Sequence, residues 1–206
     1  MVLLSTLVLP LWLAAKDAPS EYGALVAALK VGNTKIDFGR LRLSYLDSPE
    51  YKQAADTATS QRAMLVALSA KNYPKALEHA EAVLAAEYIN INAHFVAFVA
   101  NQEMGAADKA AFHKAVFRGL LNSIRSSGDG MSMEKAWVVI SVHEEHEFVR
   151  ALGYGLLSQS QSEKDGHAYD VLKVKNKEDG KEKTFYFNVD IPTKHETREQ
   201  RAGAKE

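Results

Sequence analysis

A chain of 206 residues, 47% of them hydrophobic, can bury one sizeable core, or a core plus a small satellite domain. Its formal net charge of −1 and the lack of any Lys/Arg cluster interleaved with aromatics in the helical part argue against a nucleic-acid binder. The absence of cysteine removes disulfides, thiol nucleophiles and Cys-ligated zinc together.

Val2 to Ala15 is almost wholly apolar, and the polar chain begins at Lys16-Asp17. The run is shorter than the ~20 residues needed to span a bilayer. It suits the apolar region of a secretory signal, with Ala14 and Ala15 at a cleavage site, although no basic residue precedes it. Residues 1–18 are therefore expected to be an export signal, with a buried N-terminal strand or helix as the alternative. The mature chain would then be periplasmic or secreted and bacterial, without a stable membrane span.

Residues 19–125 read as helices. Ser20 is placed to cap a first helix, in which Tyr22, Leu25, Val26 and Leu29 share a face. Asp37 can cap the next, striped by Phe38, Leu41 and Tyr45 and stopped by Ser48-Pro49. Met64, Leu65 and Leu68 mark one further helix, and Leu77, Ala80, Val83 and Leu84 another that starts near Pro74. Phe95, Phe98 and Val99 line the one after that, ended by Gly105, and Phe112, Val116, Leu120 and Ile124 line the last. Small Ala76 and Ala80 after Tyr73 resemble the second helix of a tetratricopeptide repeat. Ala110 lies one period of about 34 residues beyond Ala76, but Lys114 stands where a small residue belongs. A generic helical bundle is the competing description.

Ser126 to Gly130 breaks the pattern, and residues 126–192 read as a small α+β module. Ala136 to Val142 is β-branched and apolar on both faces, as in a strand buried from both sides. Ser141 and Glu144 have the spacing of a capping box, opening a helix with Glu145, Phe148, Val149 and Leu152 that Gly153 closes. Strands follow near Tyr154–Ser160, His167–Lys175 and Lys183–Ile191, the last two joined by an Asp179-Gly180 hairpin turn. Residues 193–206 are polar and are expected to fray. The fold class is thus α+β, with N-terminal helical hairpins of tetratricopeptide-like type followed by a module with an antiparallel sheet.

Taken together, Ser127-Gly128-Asp129-Gly130, Ser132 with Glu134, Val138 to Val142, Glu144-Glu145 and Ala151-Leu152-Gly153 resemble the bacterial family known as domain of unknown function 4919. Tyr169-Asp170-Val171 and Tyr186 to Val189 extend the likeness, as do Asp37-Phe38, Leu41-Arg42, Tyr45, Ser48-Pro49 and Tyr51 upstream. This chain has His146 where that family would carry an aromatic. The resemblance implies export and a helical repeat followed by a small β module, and no activity.

His143 to Glu147 is the most metal-like run, since histidines three apart on a helix can share a face, with His167 as a distant third ligand. The His-Glu-x-x-His spacing of zinc peptidases is missing, and acidic residues in a first turn already complement the helix dipole. Asp129, Ser132 and Glu134 lack the alternating ligands of a calcium loop. No Gly-x-Ser-x-Gly, phosphate-cradling or dinucleotide motif occurs. The lysines of the hairpin, Lys173 to Lys183, are offset by Glu178, Asp179 and Glu182. No catalytic residue, metal or cofactor is therefore assigned.

The expected function is a non-enzymatic interaction with another protein. Its candidate contact residues are Asp129, Glu134, His143, His146, Tyr186, Asn188 and Asp190, the last three on the open face of a half-buried strand. A secreted hydrolase using clustered carboxylates or histidines is the alternative, and a deep pocket with two or more titratable groups would favour it. An immunity-type protein is a third reading that shares the first one's surface.

Overall fold

The computed structural model describes residues 19–203; the apolar segment from Val2 to Ala15 lies outside them. The architecture is α+β. Helices α1 (Glu21–Lys30), α2 (Phe38–Leu43), α3 (Pro49–Lys52), α4 (Ala58–Ser69), α5 (Tyr73–Ala86), α6 (Ile91–Glu103) and α7 (Ala107–Arg125) come first. A 3-10 turn (Met133–Lys135), β1 (Trp137–Val138), α8 (Val142–Ala151), β2 (Tyr154–Lys164), β3 (His167–Asn176), β4 (Glu182–Asn188) and α9 (Asp190–Gly203) follow.

The starts of α1, α2, α3, α5, α6 and α8 are set by side-chain caps. Ser20 Oγ accepts from Gly23 N at 2.8 Å and Asp37 Oδ1 from Arg40 N at 2.9 Å. Asn72 and Asn90 do the same for α5 and α6. Helix α2 ends at Leu43, with Ser44 as its C-cap, before the expected stop at Ser48-Pro49; that pair instead opens the short α3, with Ser48 as its cap and proline at its first turn. Helices α4 to α7 pack each against its neighbour in sequence. The α4–α6 cluster is built on small side chains, with Ala76, Ala80, Ala93 and Ala97 wholly buried around Met64 and Val83.

That close packing corrects the reading of α6. Phe95, expected in its buried stripe, is exposed and leans on Phe98 and Phe117. The core face is instead Ala93, Val96, Ala97 and Ala100, because a helix flanked by both α5 and α7 must offer small side chains to each.

A second core joins α1, α2 and α7 to the sheet and α8, running through Leu29, Leu41, Leu120, Trp137, Phe148, Leu172 and Phe187. One core therefore crosses residue 126. The sheet order is β1-β4-β3-β2. Strands β2, β3 and β4 form an antiparallel meander, and β1 adds a parallel pairing to β4 through Trp137–Phe187 and Val138–Asn188.

Three segments differ from the sequence reading. The strand expected from Ala136 to Val142 keeps only Trp137–Val138; Val139 and Ile140 are buried as a linker feeding α8, and burial without a ladder produces the same apolar run. Strand β4 ends at Asn188 rather than Ile191, since Asn188 Oδ1 accepts from Asp190 N at 3.1 Å and turns the chain. Residues from 190 to 203, expected to fray beyond 192, form α9. His195 of α9 sits edge-on to Tyr51 at 5.0 Å and donates through Nε2 to Leu46 O at 3.2 Å, so a polar helix finds a ring and a carbonyl to dock on.

The Gly128-Asp129-Gly130 turn buttresses Trp137. The indole N–H donates to Gly128 O at 3.0 Å, and a Cβ at Gly130, whose φ is +68°, would sit 2.4 Å from the ring. Glycine is required there by both space and conformation.

Candidate functional site

Helix α8 carries the polar run His143 to Glu147, and its five side chains leave the axis in different directions. The run does not converge on one point. Its residues meet several elements, and three of its carboxylates are buried. Buried acids are rare unless paired, which makes α8 the chemical centre of the fold.

Glu144 points toward α2. Its carboxylate takes two bonds of 2.6 Å from Arg42 Nε and Nη2, and a third at 3.0 Å from Ile140 N. Arg42 is completed by Ser123 Oγ and Val138 O. The capping box is therefore half formed: Ser141 Oγ accepts from Glu144 N at 3.1 Å, while the glutamate side chain serves Arg42 instead of Ser141. A guanidinium is a stronger donor to a buried carboxylate than the backbone amide it displaces.

Glu145 and His146 turn to the sheet. Gln159 Nε2 of β2 donates to Asp170 Oδ2 at 2.7 Å and to Glu145 Oε2 at 3.4 Å, and Gln159 Oε1 lies 2.9 Å from His146 Nε2. Glu147 turns the other way and accepts from Ile91 N and Asn92 N at 3.2 and 3.3 Å, neutralising the N-terminus of α6.

His143 Nε2 donates to Glu147 Oε1 at 3.2 Å, and that bond raises the imidazole pKa despite its burial. Beside it, burial and then the Glu147 charge push the Glu87 carboxyl up to about 7, while Asn90 Nδ2 donates to it at 3.1 Å. Both border a cleft of about 400 Å³ between α2–α3, the start of α8 and α9, walled by Tyr45, Tyr51, His195 and Glu196. Glu87 and His143 can exchange a proton with a bound group near neutral pH. Ser141, also at the cleft, is committed to capping.

The other candidates are scattered. Asp129 Oδ1 accepts from Met131 N at 2.9 Å, closing its own turn. Glu134 is held down to about 2 by its bond from Lys164 at the tip of β2. Tyr186 and Asn188 are half-buried on β4, Tyr186 N donating to Gly130 O. Asp190 is a joint: its carboxylate accepts from Ala168 N at 2.9 Å and from His167 Nδ1 at 2.6 Å, with Lys194 at 3.7 Å. His143 and His146 do not share a target, His167 is bound to Asp190, and among the described residues no three His, Asp or Glu side chains are placed to hold a metal.

Sequence reasoning named Arg42 and Asp170 only as part of the family likeness and gave them no role, and it missed Glu87, Gln159 and the pair His94–His113. His94 Nε2 donates to Tyr88 O at 2.9 Å, so its Nδ1 accepts from His113 Nδ1 at 3.0 Å. Burial pushes these imidazoles down to about 3 and about 4, so they are neutral core groups.

In comparisons with known proteins, the family described as a domain of unknown function (DUF4919) matches residues 17–198. No curated protein and no solved structure matches the chain.

Proposed function

The chain belongs to the DUF4919 family, and since that membership brings no activity with it, we propose on structural grounds that it is an exported, non-enzymatic interaction protein that takes an extended segment of a partner protein alongside strand β2. The observation that carries this is the edge. Strand β2 ends the sheet order, runs eleven residues and is exposed from Leu156 through Gln161. Natural edge strands are blunted by charge, proline or short length; this one has no charged residue or proline between Tyr154 and Ser162. Its charges, Glu163 and Lys164, come only at the far end, and the uncharged stretch is interrupted by a bulge between Leu156 and Ser158, beside the exposed Leu156 and Leu157.

A strand added there would gain main-chain hydrogen bonds, and the two leucines would supply apolar contact. Export is supported by the apolar stretch from Val2 to Ala15. The reading puts the contact on the sheet edge rather than on a groove between helices. An immunity-type protein would use the same edge.

Cross-linking capture from the envelope and culture fluid, using the tagged chain, should recover one stoichiometric protein. The Leu157→Lys/Ser160→Lys variant should lose it with its melting temperature unchanged, and the captured protein should slow amide exchange in β2. Capture by the variant at wild-type yield, or β2 amides left unprotected, would remove the proposal.

A hydrolytic or ligand-binding role is the second reading, favoured by the cleft where Glu87 titrates at about 7 beside His143. It predicts turnover of ester or glycoside reporters between about pH 6 and 8, abolished by Glu87→Gln without loss of stability. A wild-type chain inert across such a panel, with no ligand raising its melting temperature, would eliminate it.

A further inference from the structure

Glu145 of α8 is 0% exposed and its neighbour Asp170 of β3 is 1% exposed. One oxygen of each, Glu145 Oε1 and Asp170 Oδ1, has no hydrogen-bond donor among the described residues. The other two oxygens lean on a single amide, Gln159 Nε2. Two ionised carboxylates so placed would repel each other in a site with almost no donors and almost no water.

Among the described residues, none nearby supplies a compensating charge. On α8, Glu144 is acidic and taken by Arg42, while His146 reaches Gln159 rather than either carboxyl. Strand β2 offers the neutral Gln159, and β4 places Phe187 opposite Asp170. A proton carried by one orphan oxygen and donated to the other satisfies both at once.

We propose that Glu145 and Asp170 share a single proton, and that the pair is a latch fastening edge strand β2 and its neighbour β3 to α8, closed while the proton is held and opened when it leaves. Gln159 is the link to the edge strand, since it holds both carboxyls and His146 together. The latch would exist whether or not a partner protein uses β2.

Burial, and then the charge of Asp170, push the Glu145 carboxyl up to about 9. In the unfolded chain such a carboxyl titrates near ~4.3. From there to about 9 the folded form keeps a proton that the unfolded form has lost. The stabilisation is thus full below that range, shrinks as pH rises through it, and is gone once Glu145 ionises.

The test uses the full chain and Glu145→Gln, in which the amide permanently supplies the shared proton's donor. Carbon-13 NMR should find a glutamate carboxyl other than that of Glu87 still protonated at pH 8 in the wild type and missing in the variant. Between pH 7 and 10 the unfolding constant from urea titrations should rise about a hundredfold more for the wild type than for Glu145→Gln. A Glu145 carboxyl already ionised at pH 6, or superimposable pH profiles, would overturn the proposal. If Glu145→Gln does not fold, Asp170→Asn makes the same neutralisation, and the wild-type carboxyl titration decides alone.

Discussion

Arg42→Ala should lower stability by about 3–5 kcal/mol, because it leaves a buried carboxylate with no counter-charge. Arg42 is 2% exposed and Glu144 5%, so solvent offers little relief. The guanidinium ties together Glu144 on α8, Ser123 on α7 and Val138 O on β1, so its loss frees acceptors on three elements at once. For a domain of this size that corresponds to a melting temperature lower by roughly 10 °C or more. Arg42→Lys should recover only part, since an ammonium cannot reproduce the bidentate fork. The double variant Arg42→Met/Glu144→Gln should recover more than the alanine variant, because removing both charges removes the desolvation cost along with the attraction. Adding the single variants Arg42→Met and Glu144→Gln lets urea midpoints close a double-mutant cycle. A single-variant loss below about 1 kcal/mol would mean that water reaches the pair.

Trp137→Ala should be about as damaging, near 3–5 kcal/mol. The ring lies 4.8 Å from Phe148, 5.1 Å from Phe185 and 5.5 Å from Phe187, in edge and tilted contacts that join β1, β4 and α8. Its N–H also holds Gly128 O, so truncation opens a cavity and releases the turn in the same step. Trp137→Phe separates these contributions. It keeps most of the packing, forfeits the hydrogen bond, and should cost about 1–2 kcal/mol. Equal losses for both variants would assign the stability to the turn alone.

How far the sequence could be read depends on how local each determinant is. The caps at Ser20, Asp37 and Ser141 were legible because a capping side chain acts within three residues of itself. The Asp179-Gly180 turn was legible for the same reason, with Gly180 at φ +70°. Ala136 to Val142 was misread as one strand because a buried linker and a buried strand leave the same apolar run. Helix α6 was misread because its phenylalanines outweigh its alanines in any apolar pattern, whereas packing between two helices selects the small face.

The candidate site divides in the same way. His143 and His146 stand out in the sequence, and both reach polar partners in the structure, at Glu147 and Gln159. What they do there depends on residues that no spacing announces. Arg42 meets Glu144 across 102 positions and Ile91 N meets Glu147 across 56. Asp170 sits in a strand whose alternation gives no reason to expect a buried acid.

The sequence by itself determined the α+β class, the helical first part, the hairpin, the exclusion of cysteine chemistry and the family. The family came from a likeness of motifs, and the others follow from periodicity, caps, turn residues and composition, all of which act over a few neighbouring positions. Only the tertiary structure decided that β1 joins β4 in parallel, that β2 is left as the edge, and that the five polar residues of α8 separate toward α2, β2, β3, α6 and the cleft. A helix turns its side chains about 100° per residue, so adjacent polar residues must diverge. What each of them meets is set by distant segments that one core draws together.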